Sequence, residues 1–369
     1  GVAFVTQSMR ADAGVMISAS HNVFSDNGIK IFDRTGHKLP DDVEYELEKM
    51  VLNSELVPKK LDDELGNAKR LDEVVGRYIV KVKQALSDEY SLEGMRIVVD
   101  GANGAGYKVA PMAFQELGAE VIAIGNQPNG TNINEGVGAL HPEFCSEMVR
   151  KYRADLGICL DGDGDRIVII DSSGTILDGD KLIGILAKFL IETKQLGTHN
   201  EVVGTVMSNF GLEKYVQTLG GKFIRTKVGD RYIVERMLDQ ESVFGGEPSG
   251  HIIFKNFSTT GDGILAALKV IECMKYYNKP LVELSHEIPL VPQSLINVKV
   301  KEKKDFETLS KLQVAIKEVE SDLKNAGRIL LRYSGTENLA RVMVEGEDAN
   351  LVLKSSQKIA NILKQEIGA

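Results

Sequence analysis

The chain has 369 residues, of which 53 are Asp or Glu and 44 are Lys or Arg, and its formal net charge is −9. This acidic balance argues against a nucleic-acid-binding protein, and no apolar run reaches the roughly 18 residues that a membrane span needs. Hydrophobic residues make up 43% of the chain, which is enough for several cores and excludes disorder over most of the length.

Apolar segments of strand length alternate with helical patterns through most of the sequence, which is typical of βαβ units around largely parallel sheets. The predicted fold class is therefore α/β. An apolar stripe at helical spacing runs from Leu71 to Leu86. Further strands are predicted at 14–17, 96–100, 121–124, 156–160, 167–170, 201–206 and 223–226, and helices at 109–117, 180–196, 212–219 and 262–277.

The alternation stops at residues 288–293, where Pro289 and Pro292 are typical of a linker. After it, a strand, a long helix at 306–324, strands at 328–333 and 339–344 and a terminal helix predict a smaller α+β module. We place the boundaries near residues 75, 176 and 290. The predicted domains are 1–75, 76–176, 177–289 and 290–369.

The three cysteines lie far apart, at positions 145, 159 and 273. Their odd number and the lack of a C-x-x-C pair argue against a zinc site and a redox pair. Reduced thiols of this kind are typical of a cytoplasmic protein. We therefore expect a cytoplasmic chain that binds neither nucleic acid nor a membrane.

Three carboxylates, Asp161, Asp163 and Asp165, alternate with glycines between two predicted apolar strands. A period of two points side chains the same way in extended backbone, and the glycines allow a tight loop that gathers them around one hard cation. Mg²⁺ is the natural candidate. An EF-hand is excluded because Arg166 and Ser172 stand where Gly and Glu are needed. The alternative is a solvated acidic turn.

A small nucleophile lies beside polar donors in the segment SASHN at 18–22, which follows a predicted strand. The hydroxyl of Ser20 is a weak nucleophile that needs a base or a metal, and His21 and Lys30 are the candidate helpers. The alternative is a turn rich in Ser and Asn at the end of a strand. The hydrolase elbow G-x-S-x-G occurs nowhere in the chain.

Three further loops carry polar groups that could bind anions or hydroxyls. A phosphate clamp is predicted between the last two strands, where planar Arg donors, hydroxyls and exposed backbone N–H groups come from Arg332, Ser334, Gly335, Thr336 and, further on, Arg341. The alternative for this segment is a plain hairpin turn. Glu247 and Ser249 of the segment GEPSGH could hold vicinal sugar hydroxyls. The segment TKVGDR at 226–231 opens a helix and could meet an anion, with Asp230 as a simple N-cap as the alternative.

Nucleotide-binding patterns are not satisfied. In the segment GAGYKV at 104–109, Val109 stands where a dinucleotide fingerprint needs its third Gly, and the acidic residue expected at the end of the next strand is missing. Tyr107 stands where a P-loop needs Lys. The sequence therefore argues against a dehydrogenase and a P-loop enzyme.

Four motifs follow one another in successive modules: SASHN with Lys30 downstream, DGDGDR, GEPSGH and RYSGTEN. In this order they resemble the α-D-phosphohexomutase family, and the resemblance spans essentially the whole chain. Segments such as GVMISASHN, KVGDRY and SGTENLARVMVEG resemble the branch that acts on glucosamine phosphates. The resemblance implies four domains around a central cleft, namely three related mixed α/β modules and a C-terminal α+β domain.

The implied activity is that of an isomerase that interconverts glucosamine 6-phosphate and glucosamine 1-phosphate and so feeds UDP-N-acetylglucosamine and cell-wall synthesis. It would use a phosphoserine, Mg²⁺ and a sugar 1,6-bisphosphate as activator. A phosphosugar would be the partner, and a homodimer is an assembly compatible with the family. Glucose or mannose phosphates as substrates, an inactive sugar-phosphate-binding fragment and a metal-dependent phosphatase are the alternatives.

The resemblance also implies residue roles. Ser20 would carry the phosphate and, with the three aspartates of DGDGDR, bind Mg²⁺; His21 and Arg166 would contact the phosphoryl group. Lys30 would be the general acid and base. The implied substrate contacts are Lys227, Gly229, Asp230, Glu247, Ser249, His251, Arg332, Ser334, Gly335, Thr336 and Arg341.

The family pattern includes a further segment ahead of the point where Gly1 stands, with a strand and an Arg/Gly-rich loop near the cleft. We therefore expect an incomplete first domain that retains the phosphoserine loop. Pro248 and Asn338 also stand where the family pattern has Gln or Met and Pro, respectively. These departures bear on activity and on sugar preference.

Overall fold

The computed structural model describes residues 1–57, 65–335 and 337–369. The first module contains an antiparallel hairpin in which Met16 pairs with Lys30. Its elements are α1 (Val2–Ser8), β1 (Ala13–Ser18), β2 (Gly28–Asp33) and α2 (Asp41–Leu52). Because the paired strands end at Ser18 and Gly28, residues 19–27 form the loop between them, which we name the serine loop.

The second module is a five-stranded sheet with the strand order β4-β3-β5-β6-β7. The first three of these strands are parallel, and the last two continue antiparallel. The elements are α3 (Val74–Lys83), β3 (Arg96–Asp100), α4 (Gly106–Glu116), β4 (Glu120–Ile124), α5 (Pro142–Tyr152), β5 (Leu156–Leu160), β6 (Ile167–Asp171) and β7 (Ile176–Leu177). Residues 161–166, the metal loop, therefore connect two neighbouring strands of this sheet.

The third module is a four-stranded sheet with the order β11-β10-β8-β9, in which β10, β8 and β9 are parallel. The elements are α6 (Gly179–Glu192), β8 (Glu201–Thr205), α7 (Phe210–Thr218), β9 (Lys222–Thr226), α8 (Asp230–Asp239), β10 (Phe244–Gly246), β11 (Ile252–Phe254), α9 (Gly263–Tyr277) and α10 (Leu281–His286). The turn between β10 and β11 carries residues 247–251, the sugar loop.

The fourth module is a three-stranded antiparallel sheet with the order β12-β14-β13, packed against two helices. The elements are β12 (Gln293–Lys299), α11 (Ser310–Leu323), β13 (Gly327–Tyr333), β14 (Leu339–Gly346) and α12 (Ala349–Ile367). We name residues 332–338 the phosphate loop, which comprises the end of β13 and its connection to β14.

One hydrophobic core is shared by the second and third modules. It contains Ile97 and Leu160 of the second sheet and Phe244 and Leu268 of the third module, each fully buried. The fourth module has a separate core, formed by side chains such as Val342 and those of α11 and α12. The second and third modules are therefore joined by continuous apolar packing.

Polar contacts attach the fourth module to the third. The guanidinium of Arg328 in β13 donates 2.8 Å hydrogen bonds to the carbonyl oxygens of Val206 and Ser208, and it pairs with the buried carboxylate of Glu345. The side-chain amide of Asn209 bonds both the N–H and the C=O of Val291 in the linker, each at 3.0 Å. The loop after β8 is thus the point of attachment.

The predicted fold class is confirmed, with three local corrections. The sheets are mixed, because β6 and β11 turn back antiparallel to their neighbours. The helix predicted at 180–196 ends at Glu192, and Lys194, two residues further on, adopts a left-handed φ of 59°. The helix predicted at 306–324 is interrupted at Leu309, which is extended. None of the described helices combines the length and apolar character that crossing a bilayer requires.

Candidate active site

The metal loop brings three carboxylates together, as the sequence predicted. Ligand oxygens of Asp161, Asp163 and Asp165 all lie within 4.8 Å of one another. The backbone N–H of Arg166 donates to Asp161 Oδ1 at 3.1 Å, and Gly164, with φ 72°, turns the chain between the side chains. The loop therefore presents several carboxylate oxygens to one point.

Burial and mutual repulsion set the ionisation of this cluster. Burial of the carboxyl and the charges of Asp165 and Asp163 raise the pKa of Asp161 to about 8. Burial also disfavours the charged form of Asp165, but the hydrogen bonds and charges of His251 and Lys30 lower its pKa overall. Among the described residues, Asp161 Oδ2 has no hydrogen-bond partner. An unpartnered oxygen among crowded carboxylates fits a divalent cation with oxygen ligands.

Ser20 and Lys30 reach the metal loop from the first module. Ser20 Oγ donates to Asp163 Oδ1 at 3.2 Å, and Lys30 Nζ lies 2.5 Å from Asp163 Oδ2 and 2.9 Å from Asp165 Oδ2. Burial lowers the pKa of Lys30, but the charges and hydrogen bonds of the two aspartates more than offset it and the pKa is raised. A candidate nucleophile and a protonated amine therefore meet at one carboxylate.

The backbone of Ser20 is left-handed, with φ 52°, which costs an L-residue about 1–2 kcal/mol. Its N–H donates to Ser18 Oγ at 2.9 Å. Its carbonyl oxygen and that of Asn22 both accept hydrogen bonds of 2.8 Å from Asn134 Nδ2, in the second module. The unusual conformation is thus stabilised from outside the serine loop.

His21, Arg166 and Ser249 line one cavity next to Asp161. Burial and the nearby charge of Arg166 lower the pKa of His21, which favours the neutral imidazole. In the described part of the chain, His21 Nδ1 and Arg166 Nε have no hydrogen-bond partner. These groups can therefore donate to, or stabilise, an anion in the cavity.

The sugar loop packs directly against β6. Ile167 N–H donates to the carbonyl oxygen of Gly250 at 3.1 Å, and Gly250 has a φ of 85°. A Cβ at this position would lie 1.9 Å from the Ile167 carbonyl oxygen, so glycine is required. Glu247 Oε1 accepts from Gly229 N–H at 3.0 Å, which joins the sugar loop to the segment that carries the exposed Lys227.

His251 and Asp230, which the sequence predicts as substrate contacts, lie next to each other and make contacts within the protein. His251 is only 2% exposed, and its Nδ1 and Nε2 lie 3.5 Å from Asp165 Oδ1 and 3.4 Å from Asp230 Oδ2. Gly261 N–H donates to Nε2, which assigns the ring proton to Nδ1, facing Asp165. Asp230 pairs with Lys38 and makes no side-chain cap of α8, so the N-cap alternative is wrong.

The phosphate loop places two arginines side by side. Arg332 and Arg341 lie directly opposite each other in β13 and β14, and burial together with the charge of Arg341 lowers the pKa of Arg332. Ser334 is buried and its carbonyl oxygen accepts from Lys303 Nζ at 2.7 Å. Gly335 is exposed, whereas Thr336, which the sequence also assigned to this clamp, lies outside the described residues.

The structure brings the serine, metal and sugar loops together through hydrogen bonds and close packing. Within the described ranges, no hydrogen bond or ion pair connects the side chains of Arg332 and Arg341 with any of those three loops. The fourth module instead contacts the rest through the attachment after β8. The hydrogen-bonded part of the candidate site in the described residues is therefore formed by the serine, metal and sugar loops.

Family models match the chain in four consecutive ranges. Models of phosphoglucomutase/phosphomannomutase match as alpha/beta/alpha domain I at 1–57, domain II at 76–174, domain III at 178–290 and the C-terminal domain at 295–362. The phosphoglucosamine mutase of Geobacter metallireducens is 50% identical over 369 residues, which cover 100% of this chain and 82% of that relative. The chain belongs to the phosphoglucomutase/phosphomannomutase family. The predicted resemblance and the assignment to the phosphohexomutase isomerases are confirmed.

Other relatives and solved structures agree with this family. The phosphoglucosamine mutase of Nitratidesulfovibrio vulgaris is 48% identical over 367 residues, 99% of this chain and 81% of that protein. A family protein from Burkholderia thailandensis has a TM-score of 0.77 at 20% identity, over 98% of this chain and 79% of that one. Aspergillus fumigatus N-acetylphosphoglucosamine mutase, in complex with GlcNAc-6P and magnesium, has a TM-score of 0.74 at 20% identity, over 99% and 92%. These structures support the family fold.

Sequence reasoning within the family pattern missed Asn134, Lys38 and Lys303. Asn134 lies in a loop rich in Gly and Asn, which is typical of turns with positive φ but says nothing about a partner. Lys38 and Lys303 follow no motif. Only their three-dimensional neighbours, Asp230 and the carbonyl oxygen of Ser334, identify them.

Proposed function

We propose that this family member interconverts glucosamine 6-phosphate and glucosamine 1-phosphate through a phosphoserine at residue 20 and a sugar bisphosphate. Identities of 48–50% over nearly the whole chain to proteins named phosphoglucosamine mutase support the choice of sugar. One observation carries the chemistry: Ser20 Oγ and Lys30 Nζ of the first module both bond to Asp163 of the second. The three free buried cysteines suit a cytoplasmic enzyme.

Mg²⁺ is the metal of this proposal, held by Asp161, Asp163 and Asp165 together with an oxygen of the Ser20 phosphate. The mutual distances of the carboxylate oxygens and the unpartnered Asp161 Oδ2 support this ligand set. When bound, the cation neutralises charge on the phosphoryl group during transfer. A sugar 1,6-bisphosphate would restore the phosphate of Ser20 after its loss.

In the first transfer, the bond between phosphorus and Ser20 Oγ breaks and a bond to a free hydroxyl of the bound sugar monophosphate forms. Lys30, protonated between its two aspartates, donates its proton to Ser20 Oγ and regains one from the sugar hydroxyl. His21 and Arg166 face the transferred group from their shared cavity. After the bisphosphate turns end for end, the reverse step returns its other phosphate to Ser20.

Binding of the sugar and of the second phosphate falls to the other two loops. Glu247 and Ser249 would hold sugar hydroxyls, with Lys227 and Gly229 beside them. The phosphate that is not transferred would lie between Arg332 and Arg341, with Ser334, Gly335 and Thr336 as further donors. We assign His251 and Asp230 a supporting role, because the His251 ring lies between the carboxylates of Asp165 and Asp230.

The decisive test combines the mass of the Ser20 peptide with a mutase assay on glucosamine 6-phosphate. We expect one added phosphate on Ser20, and loss of both the phosphate and turnover in Ser20→Ala. Ser25→Ala, in the exposed part of the same loop, is the matched control. An unphosphorylated but active Ser20 overturns the proposal, as does steady release of inorganic phosphate. A higher kcat/KM for glucose or mannose phosphates overturns the sugar assignment alone.

A further inference from the structure

The side-chain amide of Asn134, in the second module, holds the serine loop of the first module. Asn134 is 6% exposed, and Nδ2 uses both of its protons, one for the carbonyl oxygen of Ser20 and one for that of Asn22, at 2.8 Å each. Its own backbone N–H donates to Ala102 at 2.9 Å. The donor is thus itself anchored in the second module.

The metal loop is fixed to the same scaffold. Gly162, in that loop, lies so close to Ser20 that a Cβ would be 2.4 Å from the Ser20 carbonyl oxygen and 2.6 Å from the Ile133 side chain. On its other side, Ala105 N–H donates to the Gly162 carbonyl oxygen at 2.7 Å. The peptide of Ser20, the asparagine segment and the metal loop are therefore in direct contact.

This arrangement bears on the direction of the serine side chain. Ser20 is held at a φ of 52°, a conformation that costs an L-residue free energy and persists when neighbours over-determine it. Among the described residues, the hydrogen bonds that join residues 19–22 to the second module are the two from Asn134 and the one between Ser20 Oγ and Asp163. The bond to Asp163 is lost when Ser20 is phosphorylated, because Oγ then has no proton to donate. The two hydrogen bonds from Asn134 remain.

We propose that Asn134 is a positioning residue for phosphoryl transfer: its two hydrogen bonds hold the Ser20 peptide so that Oγ faces the metal loop. This inference rests on the proposed phosphoserine. Among the described residues, Asn134 makes no hydrogen bond to the sugar loop or to the phosphate loop. Its loss should therefore change the rate of transfer and leave the affinity for the sugar phosphate intact.

Asn134→Asp is the sharpest variant, because it keeps the size of the side chain and replaces the double donor by oxygens that face two carbonyl oxygens. We expect kcat and the rate of Ser20 phosphorylation by glucose 1,6-bisphosphate, followed by mass, to fall roughly 10- to 100-fold, since a small misplacement of a reacting group costs about that much. The KM for glucosamine 6-phosphate should stay within about twofold. Asn134→Ala, measured in parallel, should also lower kcat and the phosphorylation rate with little change in KM. It replaces the Asp variant in the test if that variant does not fold.

Asn200→Asp is the matched control. Asn200 is also left-handed, with φ 54°, and its Nδ2 donates to a carbonyl oxygen, that of Gly220 at 2.7 Å, in the third module. Equal losses in the two variants, or a raised KM with unchanged kcat at position 134, overturn the positioning role. Absence of phosphate on Ser20 in the unmodified protein overturns the phosphoserine mechanism instead, so the two failures are distinguishable.

Discussion

The imidazole of His251 connects the sugar loop with the metal loop. Its Nδ1 lies 3.5 Å from Asp165 Oδ1, and its Nε2 accepts a hydrogen bond from Gly261 N–H, which orients the ring. Partners of metal-binding side chains commonly raise affinity for the metal by orienting the ligand. We therefore expect His251, a residue of the motif GEPSGH, to orient a carboxylate of the metal loop rather than to contact the sugar.

Replacing this ring tests that role. His251→Phe keeps the bulk of the side chain and removes both nitrogens, and we expect Mg²⁺ to bind about 10- to 100-fold more weakly by calorimetry. The KM for glucosamine 6-phosphate at saturating Mg²⁺ should be nearly unchanged. Unchanged Mg²⁺ affinity with a raised KM would instead favour the direct sugar contact expected from the motif.

At the scale of elements, the pairing of β13 with β14 puts two like charges opposite each other. Arg332 and Arg341 are cross-strand partners, and in the described structure neither Nε has a hydrogen-bond partner. Like charges directly opposite each other destabilise a strand pair. We therefore expect the hairpin to gain stability when a phosphate binds between the two guanidinium groups.

Arg332→Met should separate binding from folding. We expect the Kd for glucosamine 6-phosphate to rise about 10- to 100-fold, the range for a lost charge-assisted hydrogen bond. The Tm of the ligand-free protein should stay the same or rise, because repulsion is relieved. Arg332→Lys keeps the charge but lacks the planar guanidinium group. Its Kd should lie between those of the parent and of Arg332→Met. A lower Tm with unchanged Kd would contradict this account.

Sequence patterns predicted what is local to one segment. The alternation of Asp161, Asp163 and Asp165 with glycines was enough to foresee their convergence, because neighbours along the chain are constrained by backbone geometry. Contacts between distant segments were not foreseeable in this way. Asn134 lies 114 residues from Ser20, and no periodicity relates a loop amide to a carbonyl oxygen in another module.

The same limit applies to the neighbours of His251. Residue type and motif position suggested a group facing the substrate, whereas packing of the sugar loop on β6 turns the ring inward, to 2% exposure. That packing depends on the close approach of Gly250 to Ile167, which only the folded sheet reveals. The strands and helices were predicted more closely, because their apolar periodicity is a property of single segments.

At the scale of the whole molecule, a buried carboxyl lies near the attachment of the fourth module. Burial of Asp180, together with the charges of Asp178 and Glu345, raises its pKa from 3.8 to about 7, and Oδ2 accepts from Asn209 N–H at 2.8 Å. A raised pKa means that the folded chain binds this proton more tightly than the unfolded chain. The free energy of unfolding should therefore fall as pH rises between these two values.

Asp180→Asn should remove this pH dependence and keep the hydrogen bond from Asn209. Between pH 5 and pH 7, the free energy of unfolding of the parent should fall by about 2–3 kcal/mol relative to that of the variant, since one pKa unit corresponds to about 1.4 kcal/mol. Urea unfolding at several pH values measures the difference. Asp322→Asn, at an exposed position of α11, controls for the loss of a carboxylate. Parallel curves for the parent and Asp180→Asn would contradict the assignment.

The hold of Asn134 on Ser20 has a consequence for exchanging parts between relatives. The serine lies in residues 1–57, but the hydrogen bonds that its carbonyl oxygen and that of Asn22 accept come from Asn134 in the second module. A chimera that takes its first module from one relative and its second from another would inherit a serine whose geometry is specified by a different parent. Successful recombination should therefore transfer the segments around Ser20 and Asn134 as one unit, even though more than a hundred residues separate them.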